Sequence, residues 1–543
     1  MRISDSSPTV HGRWRVLTAG AAAAVAAVVL AACGGGSDGD DSSGGDGSSA
    51  GGELSSTLTT PLSFNPGSLD PDIFYGNEGL LITTSCYDGL LKYKNDTTEI
   101  EPALAESYDV SEDGKTWTFE LRPDVKFSDG TPFDAEAARF SIERRRDVNA
   151  GPAYMVAPII KTSAPDPLTL VVELKTPINP FEHWLASPYG LKMVNPKVVE
   201  ANEAGDPQAQ DYLADHCAGT GPYDLASAEP GQRYQLEANE NYWGEAPDFT
   251  AVDLPVIPSF STQALQLRGG ELDMMTHGLT KADVESFETD DAFEVVRLPG
   301  ISAINLWINA NQENLQNPDV RRAIGLALDR ETLVEQVYGD DAEVYNQLFA
   351  PETLEGHDYE LEYDPEEAAS LMEGVPEDMR TITLQFTSDD ANNQQIAGLM
   401  AQQLNAVGFD VDQRGLPETE VFNFTEAPDD RKPDMIVLPQ NPDDASPSSF
   451  PQLQWVSTGA FFPPIDPAAD KVFYRAVENA DDDEAIELYG QAADQYREHD
   501  VFVPIANTKA VIVARDGISN IGVERQGLWT VDLGALKNDS ASE

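Results

Sequence analysis

Two adjacent carboxyl groups, Asp443 and Asp444, mark the strongest candidate binding site in the sequence. They lie in a loop, residues 440–447, that follows residues 434–439, whose apolar pattern predicts a buried strand. Ligands of α/β proteins bind beyond the carboxyl ends of strands, where a buried carboxylate can hold an ammonium group by a charge-assisted hydrogen bond. The Asn-Pro-Asp-Asp sequence is also strong turn chemistry, so a solvated turn or cap is the competing interpretation of both acids.

Aromatic side chains are the second group of candidates, because a pocket that excludes water needs flat apolar walls. Tyr75, Trp307 and Trp455 are the candidates for such walls, and Trp307 follows Asn305 in an extended segment. Each of the three is more often found in a hydrophobic core than in a pocket, so both interpretations stay open.

The charge of the chain excludes one class of function. Asp and Glu number 94 and Lys and Arg number 34, a formal net charge of −60, so the sequence lacks the basic character of a nucleic-acid-binding protein. The acids are dispersed along the chain, which is typical of a hydrated surface suited to a saline medium. Attraction of cationic ligands is the alternative explanation.

Metal-binding and catalytic motifs are absent from the sequence. The 6 histidines show no HxxH or HExxH spacing and the 3 cysteines form no CxxC pair, so we expect no metal site and no cofactor. There is no Gly-x-Ser-x-Gly elbow and no Walker loop. Adjacent acids are common in so acidic a chain and do not indicate acid–base catalysis. We expect a protein that is not an enzyme, with an exported hydrolase as a remote alternative.

The N-terminal region has the pattern of an export signal. Arg13 and Arg15 precede an apolar run, residues 17–32, that is shorter than the about 20 residues of a membrane-spanning helix. The run ends in Leu-Ala-Ala-Cys, which resembles the lipobox of bacterial lipoproteins and implies a signal peptide at 1–32 and lipidation of Cys33. An ordinary signal peptide is the alternative. Gly, Ser and Asp dominate residues 33–56, which predicts a flexible linker.

The two remaining cysteines, Cys86 and Cys217, form an even set in an oxidising compartment. A disulfide between them is therefore expected, although the sequence does not show whether their Cα atoms approach each other.

From residue 57 onward, strand patterns alternate with amphipathic helix patterns, which indicates an α/β fold. Strict alternation predicts a strand at 116–121 with residues 125–127 as its partner, and Asp134 is the expected N-cap of a helix at 135–146. Later helices are predicted to begin at Pro318, which follows the cap Asn317, and at 330–338, 364–373 and 393–406. A short strand is expected at 410–411.

Several motifs in one order resemble the signature of the family 5 extracellular solute-binding proteins, the peptide-, nickel- and sugar-binding receptors of ABC importers. They include Leu-Ala-Glu-Ser-Tyr at 104–108, Asp-Gly-Lys-Thr-Trp-Thr-Phe at 113–119, Gly-Thr-Gly-Pro-Tyr at 219–223 and Asn-Tyr-Trp-Gly at 241–244. Further matches lie at 125–133, 270–273, 320–330, 363–368 and 503–505. The similarity covers essentially residues 57–543.

The resemblance implies a two-lobed fold of the periplasmic-binding-protein type, of the type II large cluster with an extra subdomain in lobe one. Lobe one is expected at 57–300, lobe two at 301–500, and residues 501–543 are expected to return to lobe one. Two hinge crossings would fall near 301–309 and 502–508, as extended segments that absorb backbone rotation.

The resemblance also assigns candidate roles. Family members that bind peptides pair the peptide backbone as an added strand and hold its ammonium group with an aspartate, whose position Asp443 takes here. Asp444 is its competitor. Gln440 stands where the family usually has a tryptophan, which suggests a more polar ligand. Trp307, with Asn305, borders the cleft if its strand is a hinge.

The function implied is that of a monomeric, lipid-anchored receptor at the outer face of the cytoplasmic membrane. It would capture a peptide or peptide-like solute between two lobes and deliver it to ABC permease subunits. A receptor for a non-peptide solute, such as a sugar or a metal chelate, and a ligand sensor are the alternatives.

Overall fold

The computed structural model describes residues 54–542, except 355, 359, 360, 426, 429, 430, 460 and 523–529. The expected signal peptide, the lipidation site Cys33 and the linker up to residue 53 therefore lie outside the described residues. Within the described part of the chain, no helix is both long enough and apolar enough to cross a bilayer.

Helices and strands alternate along the chain, and the strands in order are β1 Thr57–Thr59, β2 Leu91–Tyr93, β3 Ile100–Pro102, β4 Ala105–Val110, β5 Thr116–Leu121, β6 Ile159–Asp166, β7 Thr169–Leu174, β8 Tyr223–Glu229, β9 Arg233–Ala238, β10 Ala251–Pro255, β11 Met274–Met275, β12 Phe293–Ile308, β13 Ala342–Val344, β14 Thr381–Thr387, β15 Asp410–Leu416, β16 Met435–Gln440, β17 Phe502–Arg515, β18 Ile518–Ser519 and β19 Lys537–Asn538.

The α-helices, also in chain order, are α1 Leu80–Cys86, α2 Ala135–Val148, α3 Phe181–Ala186, α4 Pro196–Asn202, α5 Gln210–Leu213, α6 Phe260–Gly269, α7 Lys281–Phe287, α8 Pro318–Ala327, α9 Arg330–Val337, α10 Pro365–Met372, α11 Ala391–Ala406, α12 Glu418–Val421, α13 Ser449–Gln454, α14 Pro467–Val477 and α15 Asp482–Arg497.

The part of the chain expected to form lobe one, residues 57–300, contains two four-stranded sheets. One has the order β1-β10-β9-β8 and the other the order β4-β5-β7-β6. Apolar side chains of β17 and of the C-terminal residues Ile518, Ile521, Val531, Leu533 and Leu536 are buried in one core with the first sheet and its neighbours.

One predicted strand is absent. Residues 125–127 do not pair with β5, whose partners are β4 and β7. Asp124 has a positive φ of 62°, and the amide of Phe127 donates to the carbonyl of Thr131, so the chain turns back on itself here instead of extending. The alternation that marked 125–127 reflects the burial of Val125 and Phe127 in a loop.

The central sheet joins both lobes, with the order β11-β17-β12-β16-β14-β15 and β13 paired on β17. β12 and β17 run antiparallel over most of their length, from Phe293 opposite Arg515 to Trp307 opposite Phe502. The expected crossings at 301–309 and 502–508 are therefore segments of two long adjacent strands. The register between these strands shifts between Leu298 and Ser302, around Pro299, which has no N–H to donate.

The predicted helices follow their capping signals. The carboxylate of Asp134 accepts from the amide of Ala137 at the start of α2, and Asn317 accepts from Asp319 at the start of α8. α11 begins two residues earlier than predicted, because Asp390 caps the amides of Asn392 and Asn393. The expected strand at 410–411 extends to Leu416.

Cys86, at the end of α1, and Cys217 form a disulfide with their Cα atoms 6.0 Å apart. The bridge closes a loop across 131 residues of sequence, which restricts the unfolded chain far more than the folded one. It ties α1 to the Gly-Thr-Gly-Pro-Tyr segment, where the carbonyl of Cys86 accepts from the amide of Gly221.

A fully buried ion cluster holds the loop between β1 and α1. The guanidinium of Arg144 on α2 contacts Asp70 at 2.6 Å and Asp72 at 2.5 Å, and Arg145 contacts Asp72 at 2.7 Å. The remaining N–H groups of Arg144 and Arg145 donate to backbone carbonyls, so the arginine charges are compensated and hydrogen-bonded. This loop carries Tyr75 and the residues after it into the space between the lobes.

We predict that Arg144→Met lowers the free energy of unfolding by about 3 to 5 kcal/mol, because it leaves Asp70 buried without its main partner. Arg139→Met on the same helix is the matched control, since Arg139 makes only partly exposed pairs with Glu136 and Glu143 and should cost less than about 1 kcal/mol. Urea unfolding curves measure both. Equal costs for the two variants would contradict the structural role of the cluster.

Candidate ligand-binding cleft

A cavity of about 560 Å³ lies between the two lobes, a volume in the range of small-molecule sites. Lobe one contributes the loop 75–78, Tyr189 and residues 276–281, and lobe two contributes residues 387–392, Glu418 and the segment after β16. The strand β17 forms part of its floor through residues 508–511. The cavity therefore meets both lobes and the strands that join them.

The loop after β16 is anchored on both sides. The amide of Asp443 donates to Ser449 Oγ at 2.8 Å within lobe two, and the carbonyl of Asp443 accepts from Ser187 Oγ of lobe one. The hydroxyl of Tyr93, also from lobe one, accepts from the amide of Ala445 at 3.0 Å. These bonds hold the loop at the boundary between the lobes.

The carboxylate of Asp443 connects the lobes and faces the cavity. The hydroxyls of Tyr75 and Tyr154, both from lobe one, donate to Oδ2, with Tyr154 at 2.6 Å. The other oxygen, Oδ1, has no hydrogen-bond partner among the described residues, although the residue is only 5% exposed. Burial raises the pKa of Asp443 and the two tyrosine hydroxyls lower it, with a net increase.

A second group of acids lines another part of the cavity. Glu78 of lobe one is buried, and its carboxylate accepts from the amide of Ser63 and contacts His277 Nε2 at 3.1 Å. Glu418 and Asp389 of lobe two are adjacent, since the amide of Glu418 donates to both carboxylate oxygens of Asp389. Burial, followed by the charge of Asp389, raises the pKa of Glu418 to about 7.

The cations of the cavity are directed elsewhere. Lys281 Nζ lies 3.6 Å from Glu335, and Lys509 Nζ donates to the carbonyl of Asp340 at 2.8 Å. Among the described residues that line the cavity there is no arginine. Both lysines of the lining are therefore engaged with residues 335–340.

Apolar side chains complete the walls. Phe260 packs edge-on against the ring of His277, with centroids 5.2 Å apart, and Phe422 packs edge-on against Phe461. Trp307 lies one layer further from the cavity, 4.7 Å behind Phe461 between ring centroids. Of the three aromatic residues proposed from the sequence as walls, only Tyr75 lines the cavity, and further aromatic lining comes from Phe260, Phe422 and Phe461.

The structure brings three of the predicted site residues to the cavity and keeps four away from it. Tyr75, Gln440 and Asp443 line it. The four predicted site residues that are buried and do not line the cavity are Asn305, Trp307, Asp444 and Trp455. For Asn305 and Trp307 the reason is the alternation of side chains along β12, in which Ile304 faces the cavity.

The carboxylate of Asp444 turns back into its own loop, where Oδ1 accepts from the amide of Ser446 at 2.8 Å. These are the contacts expected of a turn residue, which is the interpretation that competes with ligand binding for this acid. Burial raises the pKa of Asp444 to about 7.

Sequence reasoning missed Glu78, His277, Asp389, Glu418 and Tyr154. Asp389 precedes a helix cap and carried a weak signal for a helix start, and Glu418 was one acid among many. Nothing local distinguishes them, because their common property is a shared space between segments far apart in sequence.

The sequence matches the family model of bacterial extracellular solute-binding proteins, family 5, over residues 99–462, more than half of the chain. The chain belongs to this family. A relative of 31% identity over 353 residues, which cover 64% of this chain and 67% of that protein, is a probable D,D-dipeptide-binding periplasmic protein of Escherichia coli. The nickel-binding periplasmic protein of Escherichia coli is 27% identical over 489 residues, 86% of this chain and 91% of that protein.

Solved structures of family members have the same two-lobed fold. The DppA protein of Helicobacter pylori, in complex with the peptide STSA, matches with a TM-score of 0.76 and 26% identity over 88% of this chain and 98% of that chain. NikA of Brucella suis, in complex with Fe(III)-EDTA, matches with a TM-score of 0.78 and 24% identity over 89% and 99%. These relatives are binding proteins of transport systems, so this chain is a solute-binding protein with the expected periplasmic-binding-protein-like fold.

We predict that Asp444→Asn stabilises the protein in a pH-dependent way. The pKa of Asp444 is raised in the folded state above its usual value of 3.8, so between about pH 4 and pH 7 only the folded chain holds this proton, and stability decreases as the pH rises. Asparagine keeps the acceptor for Ser446 and removes the charge. The gain in melting temperature over the unmodified protein should therefore be small near pH 4 and largest above about pH 7. Thermal unfolding at both pH values measures it, and a gain independent of pH would contradict the assignment.

Proposed function

We propose that this protein is an extracytoplasmic receptor of an ABC importer that captures a peptide or peptide-like solute between its lobes. The observation that carries the proposal is the oxygen Oδ1 of Asp443, which has no partner among the described residues and belongs to a buried carboxylate that lines the cavity at the lobe boundary. The peptide named for a solved relative and the dipeptide named for another are consistent with it.

The chemistry of this oxygen favours a cationic group. A buried carboxylate with one free oxygen is stabilised by an added charged donor more than by a neutral one. The hydroxyls of Tyr75 and Tyr154 occupy Oδ2 and leave Oδ1 for the ligand. The amino terminus of a peptide supplies the required ammonium group.

A metal ion bound directly by the protein is the less favoured ligand. Within the described residues, no group of three His, Cys, Asp or Glu side chains is arranged to hold a metal ion. A metal would have to enter with its own chelator, as in the Fe(III)-EDTA complex of the relative from Brucella suis.

Ligand capture and delivery follow from the two-lobed architecture. A ligand that touches both lobes favours the closed arrangement over the open one, and this shift gives a permease a shape to recognise. We propose ABC permease subunits as partners and the outer face of the cytoplasmic membrane as the location. No chemical step is assigned to the cavity.

We predict that Asp443→Asn weakens binding of peptides with a free amino terminus by about 1.5 to 3 kcal/mol, because it removes a charge-assisted hydrogen bond. Calorimetric titration with synthetic tripeptides, each with a free and an N-acetylated amino terminus, measures the loss. In the unmodified protein the free forms should bind more tightly than the acetylated forms, and Asp443→Asn should abolish that difference.

Asp444→Asn is the matched control, since this neighbouring acid is equally buried and does not line the cavity. It should leave the affinity unchanged. Equal affinity of free and acetylated peptides for the unmodified protein would remove Asp443 from ligand binding, and the absence of binding by any peptide would overturn the peptide assignment.

We also propose that Cys33 is acylated and anchors the protein to the membrane. Cys33→Ser should move the full-length chain from the membrane fraction to the soluble extracytoplasmic fraction when it is expressed in a bacterium, and mass spectrometry of the unmodified protein should show a diacylglyceryl group on Cys33. Equal distribution of both proteins between the fractions would contradict the anchor.

A further inference from the structure

We infer that Arg297 is a positioning residue for ligand capture, which acts together with Lys281 and Lys509 to hold the lobes closed through contacts with residues 335–341. The inference rests on the proposed function and adds its regulation. The affinity of the protein then depends on ionic contacts between the lobes as well as on contacts with the ligand.

The two sides of these contacts belong to different hydrophobic cores. Lys281 begins α7, which packs with the start of β12. Arg297 lies between Val296 and Leu298, which pack against the core of the sheet β1-β10-β9-β8. Residues 335–337 end α9, which packs with β14 and α11 in another core. The contacts therefore join parts of the chain that are packed separately, as expected for two lobes.

Arg297 makes the shortest of the three contacts. Its Nε lies 2.5 Å from Asp341 Oδ1, and its Nη1 lies 2.7 Å from the carboxylate of Glu288, which follows α7. Glu288 is on the same side of the boundary as Arg297 and holds the guanidinium in place for Asp341. The side chain of Asp341 is only 12% exposed, so solvent and salt screen this pair less than a pair at the open surface.

Two lysines reach the same segment from other elements. Lys509 on β17 donates to the carbonyl of Asp340 at 2.8 Å, and Lys281 Nζ lies 3.6 Å from the carboxylate of Glu335. Gly339 makes room for Lys281, because a Cβ at this position would lie 2.8 Å from Nζ. Thus α7, β12 and β17 each direct one basic side chain to the same seven residues.

These contacts lie on the side of the hinge strands that faces the cleft. Lys281, Asp341 and Lys509 all line the cavity. In the same arrangement the hydroxyl of Tyr154 donates to Asp443 across the cleft, so the lobes also meet there. Opening the cleft moves apart the surfaces that line it. The ionic contacts are therefore made in the closed form and lost in the open form, and they favour closure.

The net charge of the chain gives these contacts their importance. Asp and Glu number 94 against 34 Lys and Arg, and the acids are dispersed along the sequence, so two acidic lobes repel each other as they approach. Basic side chains placed where the lobes meet offset part of this repulsion. A ligand then needs less of its binding free energy to close the lobes, and its apparent affinity rises.

The experiment uses Arg297→Gln, because Arg297 is not among the residues that line the cavity. Calorimetric titration with synthetic tripeptides should show binding weakened by about twofold to fivefold, as expected for one partly exposed ion pair. The factor should be the same for peptides with a free and with an N-acetylated amino terminus, since Arg297 acts through closure. It should shrink at an ionic strength of about 1 M, where screening limits the interaction of exposed charges to about 3 Å.

Two further measurements separate closure from a purely structural role. Stopped-flow kinetics should show the loss in the dissociation rate constant, because the contacts break when the closed form opens. Asp341→Asn should weaken binding by a similar factor, and combining it with Arg297→Gln should cause no further loss, since the two side chains act as one pair. Arg233→Gln is the matched control, because Arg233 pairs with Asp253 within one sheet, and it should leave the affinity unchanged. Circular dichroism establishes that each variant is folded.

Unchanged affinity in Arg297→Gln, or losses that add in the double variant, would overturn the inference and leave the proposed peptide receptor intact. A loss confined to the association rate, or one that differs between free and acetylated peptides, would also overturn it. Failure of every peptide to bind the unmodified protein would overturn the proposed function, and the inference with it.

Discussion

The pairing of β12 with β17 is the interaction on which the rest of the structure depends. Both strands leave the core of lobe one and enter that of lobe two, so their backbone hydrogen bonds join the lobes into one sheet. The register shift near Pro299 interrupts this ladder at the boundary. β16 pairs with β12 immediately beyond it, and the chain that leaves β16 therefore reaches the cleft within a few residues. Asp443 is at the lobe boundary for that reason.

The carboxylate of Asp443 is buried at the cleft without a cation among the described residues to compensate its charge. Asp70 and Asp72, by contrast, have Arg144 and Arg145 as partners. At the cleft, Asp443 has two neutral hydroxyls, and burial raises its pKa. A protein gains no stability from such an arrangement, because removing a charge from water costs more than neutral donors return. Its persistence at a cavity is the physical argument for a charged ligand.

Local signals predicted the scaffold well. Asp134 and Asn317 mark helix starts through contacts with amides two or three residues away, and strict alternation located β5. The same alternation failed at residues 125–127, where burial of Val125 and Phe127 belongs to a loop. Burial of every second residue shows which side chains face a core. It also occurs in segments that pair with no other strand.

The sequence alone determined the α/β class, the family, several helix starts and the loop that holds Asp443, because each depends on residues close together in the chain. Only the tertiary structure decided that the side chain of Asp443 faces the cavity and that of Asp444 faces its own loop. Side chains of neighbouring residues point in different directions, and the sequence does not show which of the two points to the cavity. It also decided that Glu78 and Glu418, 340 positions apart in the numbering, share one space. The approach of distant segments depends on how the two lobes pack, and no local pattern of residues encodes that packing.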